Sequence, residues 1–146
     1  MTTVATRVAL LAMWVALGCS AHPAAHGVVD RKLAPCPFAP HCASTQSAKP
    51  AVAPAPYETS RDEARKRLVD IIRSMPRARI VTEAPDYIHA EFTSRLFHYV
   101  DDVEIYLDDR AKLAHLRSSS RTGFYDFGAN RSRVKQIRRQ FVAQKS

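Results

Sequence analysis

Short connections between runs of alternating apolar and polar residues are the feature that most restricts the fold of this chain. Four such runs occupy residues 78–83, 87–93, 100–108 and 112–120. Alternation with a period of two is typical of strands that bury one face. The segments between the runs are at most six residues long, which is too short for a crossover helix, so consecutive strands must pair antiparallel. The sequence therefore predicts a four-stranded antiparallel meander.

Two amphipathic helices flank these strands. Ser60 followed by Glu63 forms a capping box, and apolar residues then recur at helical spacing until Pro76 ends the helix. A second helix is predicted from Asn130, as its N-cap, to about Ala143. Because each helix has a single apolar stripe, the predicted fold class is α+β. The expected order is helix, four-stranded antiparallel meander, helix, with both helices packed on one sheet face.

The N-terminus has the pattern of an export signal. One arginine among the first seven residues is followed by the apolar run Val8–Leu17 and then by Gly18 and Cys19. Ten helical residues rise about 15 Å, half of a bilayer core, which disfavours a permanent membrane span. The Gly-Cys pair is similar to a bacterial lipobox, in which Cys19 carries the lipid. Ordinary signal cleavage after Ala21 is the alternative.

These features predict a signal peptide followed by one folded domain. The signal peptide spans 1–18, a flexible tether spans 19–34, and a single small domain spans 35–146 with an irregular N-terminal arm at 35–58. A domain of this size can hold one modest core. The predicted location is the bacterial cell envelope, lipid-anchored and facing the periplasm, and Ser20 after the cysteine favours the outer membrane.

Two further cysteines remain if Cys19 carries lipid. Cys36 and Cys42 enclose two prolines, and in an oxidising compartment such a pair, lacking other partners, is usually joined. A metal site formed by Cys36, His41 and Cys42 is the alternative. It would need a ligand from elsewhere, and its spacing fits no standard zinc pattern. We therefore expect a disulfide here, and no metal or cofactor.

Three stretches resemble one protein family. They are CPFAPHCAS at Cys36–Ser44, FHYVDDVE at Phe97–Glu104 and RSSSRTGFYDFGANR at Arg117–Arg131. Together they are similar to the uncharacterised domain-of-unknown-function family 1499 over roughly residues 35–143. His41, Ala43 and Ser119 depart from the family's usual Asn, Val and Ala. The resemblance implies a shared fold and an envelope or organelle-lumen setting, and it implies no reaction.

Charged residues on two neighbouring strands form the candidate site. Asp102 and Glu104 project from one side of a strand, and Arg117 and Arg121 share a parity on the next strand, with Ser119 between them. Bidentate arginine–carboxylate pairs would be strong and geometrically strict. One interpretation is a ladder of ion pairs on the sheet face that the helices leave uncovered. The other is a ligand pocket on that face.

The loop 123–131 would complete such a pocket. Free amides at a helix start attract anions, and Arg131 beside them opposes the helix dipole, which an anion or Asp126 would offset. The full candidate polar cluster is Asp102, Glu104, Arg117, Ser119, Arg121, Asp126, Asn130 and Arg131.

The charge balance bears on partners rather than on a reaction. Lys and Arg exceed Asp and Glu by 22 − 14 = 8, and a basic surface attracts anionic partners. Export excludes nucleic acid, so the expected partners are the membrane through the lipid anchor, and anionic lipid or an envelope polymer.

No nucleophile elbow or phosphate loop is present in the sequence. The leading hypothesis is an envelope lipoprotein with a structural, partner-binding or anionic-ligand-binding domain. The alternative is a hydrolase or transferase acting on an anionic envelope substrate at the Asp/Glu/Arg face.

Overall fold

A computed structural model describes residues 26–37, 40–123 and 125–144. The predicted signal peptide and Cys19 lie outside these residues. Neither helix of the described part is both long and apolar enough to cross a bilayer.

The described residues form eight strands and two helices. In chain order these are β1 (Val28–Val29), β2 (Lys32–Leu33), β3 (Cys42–Ser44), β4 (Ala55–Pro56), α1 (Arg61–Ser74), β5 (Ala78–Ala84), β6 (Tyr87–Thr93), β7 (Val100–Asp108), β8 (Leu113–Ser120) and α2 (Ala129–Ala143). The predicted α+β class is confirmed. The predicted bounds of β6 and β7 are also confirmed, and those of β5 and β8 differ by one residue.

The main sheet has six strands, so the predicted four-stranded meander was incomplete. The strands follow the order β3-β8-β7-β6-β5, β4 also pairs with β8, and every pairing is antiparallel. The two additional strands come from the arm that was predicted to be irregular. They cover the outer edge of β8, whose backbone groups would otherwise be unpaired. Strands of two or three residues are too short to show periodicity in a sequence.

Helix α1 follows the sequence prediction closely. The side chain of Ser60 accepts a hydrogen bond from the amide of Glu63 at 3.2 Å, which satisfies a free donor at the helix start. The helix ends at Ser74, and Pro76 cannot continue it.

One hydrophobic core lies between the sheet and both helices. Alternate residues of β6, β7 and β8 enter it because side chains of a strand alternate between its two faces. Its fully buried members include Ile88, Val103, Ile105, Leu116, Leu68, Ile72, Val134, Ile137 and Phe141. The alternate set of side chains on the same strands therefore faces away from the helices.

Helix α2 begins two residues earlier than predicted. Gly128, with φ of 80°, is the N-cap, and not Asn130. The carboxylate of Asp126 accepts hydrogen bonds from the amides of Gly128 and Asn130, both at 2.9 Å. The sequence analysis offered either an anion or Asp126 as the negative group at the start of α2. In the structure, Asp126 accepts hydrogen bonds from the amides there.

Residues 26–34 were predicted to belong to a flexible tether, but they form a strap on the sheet. Strands β1 and β2 pair as a hairpin whose two turn residues, Asp30 and Arg31, have φ of 49° and 61°. Two positive φ values in a two-residue loop match the twist of a hairpin. Arg31 binds Asp108 of β7 at 2.6 Å, and Leu33 is buried. We call residues 26–34 the strap.

The predicted disulfide is present. Cys36 and Cys42 are bonded, with their Cα atoms 5.6 Å apart. The bond joins the segment that follows the strap to the first residue of β3. It therefore ties the N-terminal arm to the edge of the main sheet.

Candidate functional site

The sheet face opposite the helices carries a set of buried charges. The register places Glu104 between His89 and Arg117, and Asp102 between Glu91 and Ser119. Asp102, Glu104 and Arg117 are at most 3% exposed. We call Asp102, Glu104, Arg117, Arg121, His89, Glu91 and Tyr87 the carboxylate cluster.

Asp102 is held by three donors. Arg121 donates to both of its oxygens through Nε and Nη2, each at 2.8 Å, and His89 Nε2 lies 2.8 Å from Oδ1. Burial alone would raise the pKa of Asp102, but the hydrogen bonds from His89 and Arg121 and the nearby His26 outweigh it and hold the pKa well below its usual value. Arg121 also binds Glu91 at 2.6 Å. Asp102 is therefore a buried carboxylate kept in its charged form.

Glu104 has its own three donors. Arg117 Nη1 donates to Oε2 at 2.7 Å, while the Tyr87 hydroxyl and the amide of Gly27 donate to Oε1 at 2.7 and 2.8 Å. Burial and the bond to Glu104 raise the pKa of Tyr87, which keeps its hydroxyl a donor. The pairs Arg117–Glu104 and Arg121–Asp102 match the cross-strand ion pairs predicted from parity.

The strap closes over the cluster, so this face is not the uncovered surface that the sequence suggested. The His26 ring stacks on the His89 ring with centroids 4.5 Å apart. Its nitrogens also lie 3.7 Å from carboxylate oxygens of Asp102 and Glu104. A groove of about 610 Å³ runs between the strap and the arm, but Asp102 and Glu104 do not line it. Asp102 and Glu104 are therefore covered, and the cluster meets solvent chiefly at Arg121.

Ser119 lies on the cluster side of β8. It pairs with Asp102 on one side and with Cys42 on the other, and it is 5% exposed. It therefore belongs to the covered face, as its parity with Arg117 predicted.

The other predicted site residues lie on the helix side of the sheet. Asn130 is fully buried, and its side chain bonds Ser118 at 2.5 Å and Ser120 at 2.9 Å. Both serines have the opposite parity to Arg117 and Ser119, so they face the helices. Asp126 accepts a hydrogen bond from the Asn130 side chain at 2.8 Å and therefore lies on the same side of the sheet. The predicted pocket that joined these residues to Asp102 and Glu104 is therefore wrong, because the sheet separates the two groups.

Arg131 is exposed at the start of α2. It lines a surface groove of about 380 Å³ together with Asp126, Gly128, Cys36 and Cys42. It does not contribute to the carboxylate cluster.

Three side chains of the cluster region lie close enough to share a metal ion. Ligand atoms of His26, His89 and Asp102 are all within 4.8 Å of one another, and among the described residues this is the one group of that kind. The arrangement fits a metal poorly. The two imidazoles are stacked instead of converging, and both oxygens of Asp102 already accept bonds from Arg121. A divalent cation would also sit beside that guanidinium, which is unfavourable.

Sequence reasoning missed the residues that complete the cluster. Tyr87, His89 and Glu91 share one parity on β6, which already placed them on a common face. Their pairing with β7 follows from the meander, so that signal was available. Gly27 and His26 gave no signal, because a loop that crosses a sheet has no periodicity.

Most of the described fold lies within a match to one protein family. The model of the family described as "Protein of unknown function (DUF1499)" matches residues 32–141. The chain belongs to this family. Among curated proteins and among solved structures, no significant match to the chain was found. Membership in DUF1499 agrees with the resemblance carried by the three sequence motifs, and it assigns no reaction.

Proposed function

We propose that this DUF1499 protein is an exported, lipid-anchored envelope protein whose domain is a binding module without catalysis. In this proposal, the carboxylate cluster fastens the strap to the sheet. The observation that carries it is the saturation of the two central carboxylates. Each oxygen of Asp102 and of Glu104 accepts at least one hydrogen bond, and neither residue is more than 1% exposed.

Catalysis would require a different arrangement. A general acid or base needs a free position aimed at the reacting atom, within hydrogen-bond distance. A site for an anionic substrate would also leave at least one arginine unneutralised in a concave surface. Here Arg117 and Arg121 are paired with carboxylates. These contacts support a structural cluster over the alternative of a hydrolase or transferase.

Thermal and chemical denaturation of two arginine variants tests this proposal. Arg117→Ala leaves Glu104 buried beside an empty position, so we expect a loss of about 3 kcal/mol in the free energy of unfolding. Arg121→Ala should cost less, about 1 kcal/mol, because the side chain of Arg121 is 41% exposed and His89 still donates to Asp102. Phosphate should not raise the melting temperature of the wild type. Arg110→Ala, in the exposed turn between β7 and β8, serves as the matched control and should be nearly neutral.

The opposite pattern would favour the alternative. A ligand site holds its charges at the expense of stability, so both variants would then be as stable as the wild type. Phosphate would protect the wild type and fail to protect the variants. That result would reject the structural role of the cluster.

A further inference from the structure

One end of the main sheet carries most of the exposed large apolar side chains. The connections at this end join α1 to β5, β6 to β7 and β8 to α2. Seven large hydrophobic side chains are exposed among the described residues, and five lie on the last two connections. These five are Leu96 (76%), Phe97 (66%), Tyr99 (51%), Tyr125 (59%) and Phe127 (91%). We call them the aromatic end. Contiguous exposed apolar residues mark interaction sites on soluble domains.

The fold holds these side chains at a common edge. The amide of Arg121 donates to the carbonyl of Val100 at 3.1 Å, so the chain leaves β8 beside the point where it enters β7. The β6–β7 connection is closed by hydrogen bonds between Ser94 and Tyr99, at 2.8 and 2.9 Å. The aromatic rings pair within each connection, Phe97 with Tyr99 and Tyr125 with Phe127.

The charges around the aromatic end are almost all positive. Exposed arginines lie in or beside each of the three connections, and they are Arg77, Arg95, Arg121 and Arg131. The one carboxylate in these connections is Asp126, and it is occupied by the amides of Gly128 and Asn130. Within the described residues, Arg95 and Arg131 have no ion pair. Arg121, in contrast, is paired with Asp102 and Glu91. The surface therefore combines apolar tips with the guanidiniums of Arg95 and Arg131, which no carboxylate of the described residues neutralises.

We propose that the aromatic end docks on an anionic phospholipid surface. The rings would enter the boundary between headgroups and acyl chains, where aromatic side chains are favoured. The arginines would bind headgroup phosphates, for which a guanidinium is well suited. An apolar protein partner would not need the surrounding positive charge, and an acidic polymer would not need the exposed rings. A membrane with anionic lipids uses both.

The length of chain before the strap agrees with this partner. Six residues lie between Cys19 and His26, so the two Cα atoms are at most about 25 Å apart. A nitrogen of His26 lies 3.7 Å from Asp102. Asp102 is two residues after the start of β7, about 7 Å along the strand, so His26 lies near the sheet end that carries the aromatic residues. An anchored chain can therefore bring the aromatic end to the bilayer. This step depends on the proposed lipid anchor, whereas the exposure and the charge of the surface do not.

Vesicle binding of the unlipidated protein tests the docking surface independently of the proposed lipid anchor. The protein is Cys19→Ala isolated from the periplasm after export, and the probes are phosphatidylcholine vesicles with and without phosphatidylglycerol. We expect co-sedimentation with the anionic vesicles alone, weakened by salt. Phe97→Ser and Phe127→Ser should each weaken binding about tenfold. Arg95→Gln and Arg131→Gln should each weaken it about fivefold.

Two exposed residues away from the aromatic end provide matched controls. Val81→Ser on β5 and Arg110→Gln at the opposite end of the sheet should bind like the parent protein. Absence of binding, equal binding to both kinds of vesicle, or equal losses in the controls would overturn the inference. If wild-type protein proves unlipidated yet the soluble chain binds anionic vesicles, the anchor is wrong and the docking surface stands. If the wild-type protein is lipidated and the soluble chain does not bind vesicles, the anchor stands and the docking surface is wrong.

Discussion

At the scale of single residues, Asp102 shows how a buried carboxylate can link separate strands. A carboxylate removed from water is costly unless it is paired and hydrogen-bonded. Asp102 meets this condition with donors from β6 and from the end of β8, since His89 and Arg121 both reach it. Removing either donor leaves the charge undersatisfied. The residue thereby couples two strands that do not adjoin each other in the sheet.

Acid should destabilise the protein through Asp102. Its pKa in the folded state is lowered, so at acid pH the unfolded chain binds more protons than the folded chain. The stability that this carboxylate contributes is complete above about pH 4, the ordinary value of an aspartate, and is lost as the pH falls further. We expect the free energy of unfolding to decline as the pH falls below about 4, and to go on declining to the lowest pH at which urea titration can be measured.

The Asp102→Asn variant should show a shallower decline. The lowered pKa values of Glu91 and Asp126 will keep part of the slope in this variant. Asp62→Asn is the control, since that carboxylate is 77% exposed on α1, and it should keep the slope of the wild type. Equal slopes in Asp102→Asn and the wild type would contradict the assignment.

At the scale of elements, Asn130 joins three parts of the fold. Its amide nitrogen donates to the carbonyl of His41 before β3, to the Ser120 hydroxyl of β8, and to Asp126 before α2, at 2.8 to 2.9 Å. Its oxygen contacts Ser118, 2.5 Å away. An asparagine at a helix start is usually taken as a cap. Here the cap is Gly128, and the side chain is used for tertiary contacts.

Replacing Asn130 should therefore cost more than the loss of a cap. Asn130→Ala leaves several buried donors and acceptors without partners, and we expect a loss of about 3 kcal/mol in the free energy of unfolding. Ser132→Ala, at an exposed position on the same helix, should change it by less than about 0.5 kcal/mol. Denaturant titration compares the two. A loss near 1 kcal/mol for Asn130→Ala would instead indicate an ordinary cap.

Sequence reasoning worked where a pattern was long and failed where contacts were irregular. Nine residues of alternation predicted β7, and parity predicted that Arg117 and Arg121 pair with Asp102 and Glu104 without assigning the individual pairs. The same parity places Ser118 and Ser120 on the helix side, but the contacts of Asn130 with these serines are visible only in the structure. The strap could not be predicted, because its strands are two residues long and its contacts are isolated ones with residues far away in the sequence.

At the scale of the whole molecule, the strap and the disulfide make the N-terminal arm part of the domain. The strap binds β7 through Gly27 and Arg31. The Cys36–Cys42 bond then holds the following segment at the β3 edge. The segment between the proposed anchor and the domain is therefore shorter than the tether of 19–34 predicted from composition.

The anchor itself is tested by replacing Cys19. Because Cys19 is the proposed lipid acceptor, Cys19→Ala should still be exported and should leave the membrane fraction when membranes are washed in high salt, which weakens the proposed docking on anionic lipid. Cys42→Ala loses the disulfide but keeps the acceptor, so it should stay with the membranes. Fractionation and intact-mass measurement give both results. A wild-type mature chain that begins at His22 without lipid would show ordinary cleavage after Ala21.

With lipid on Cys19, the strap makes the reach of the protein adjustable. Tension between membrane and domain acts first on His26 and Gly27, whose contacts are few, and only later on the core. Peeling the whole strap, residues 26–34, adds nine residues to the connection, or about 30 Å of extended chain. The disulfide at Cys36 then stops the extension. We therefore expect an anchored domain to move away from the bilayer by this added length before its core unfolds.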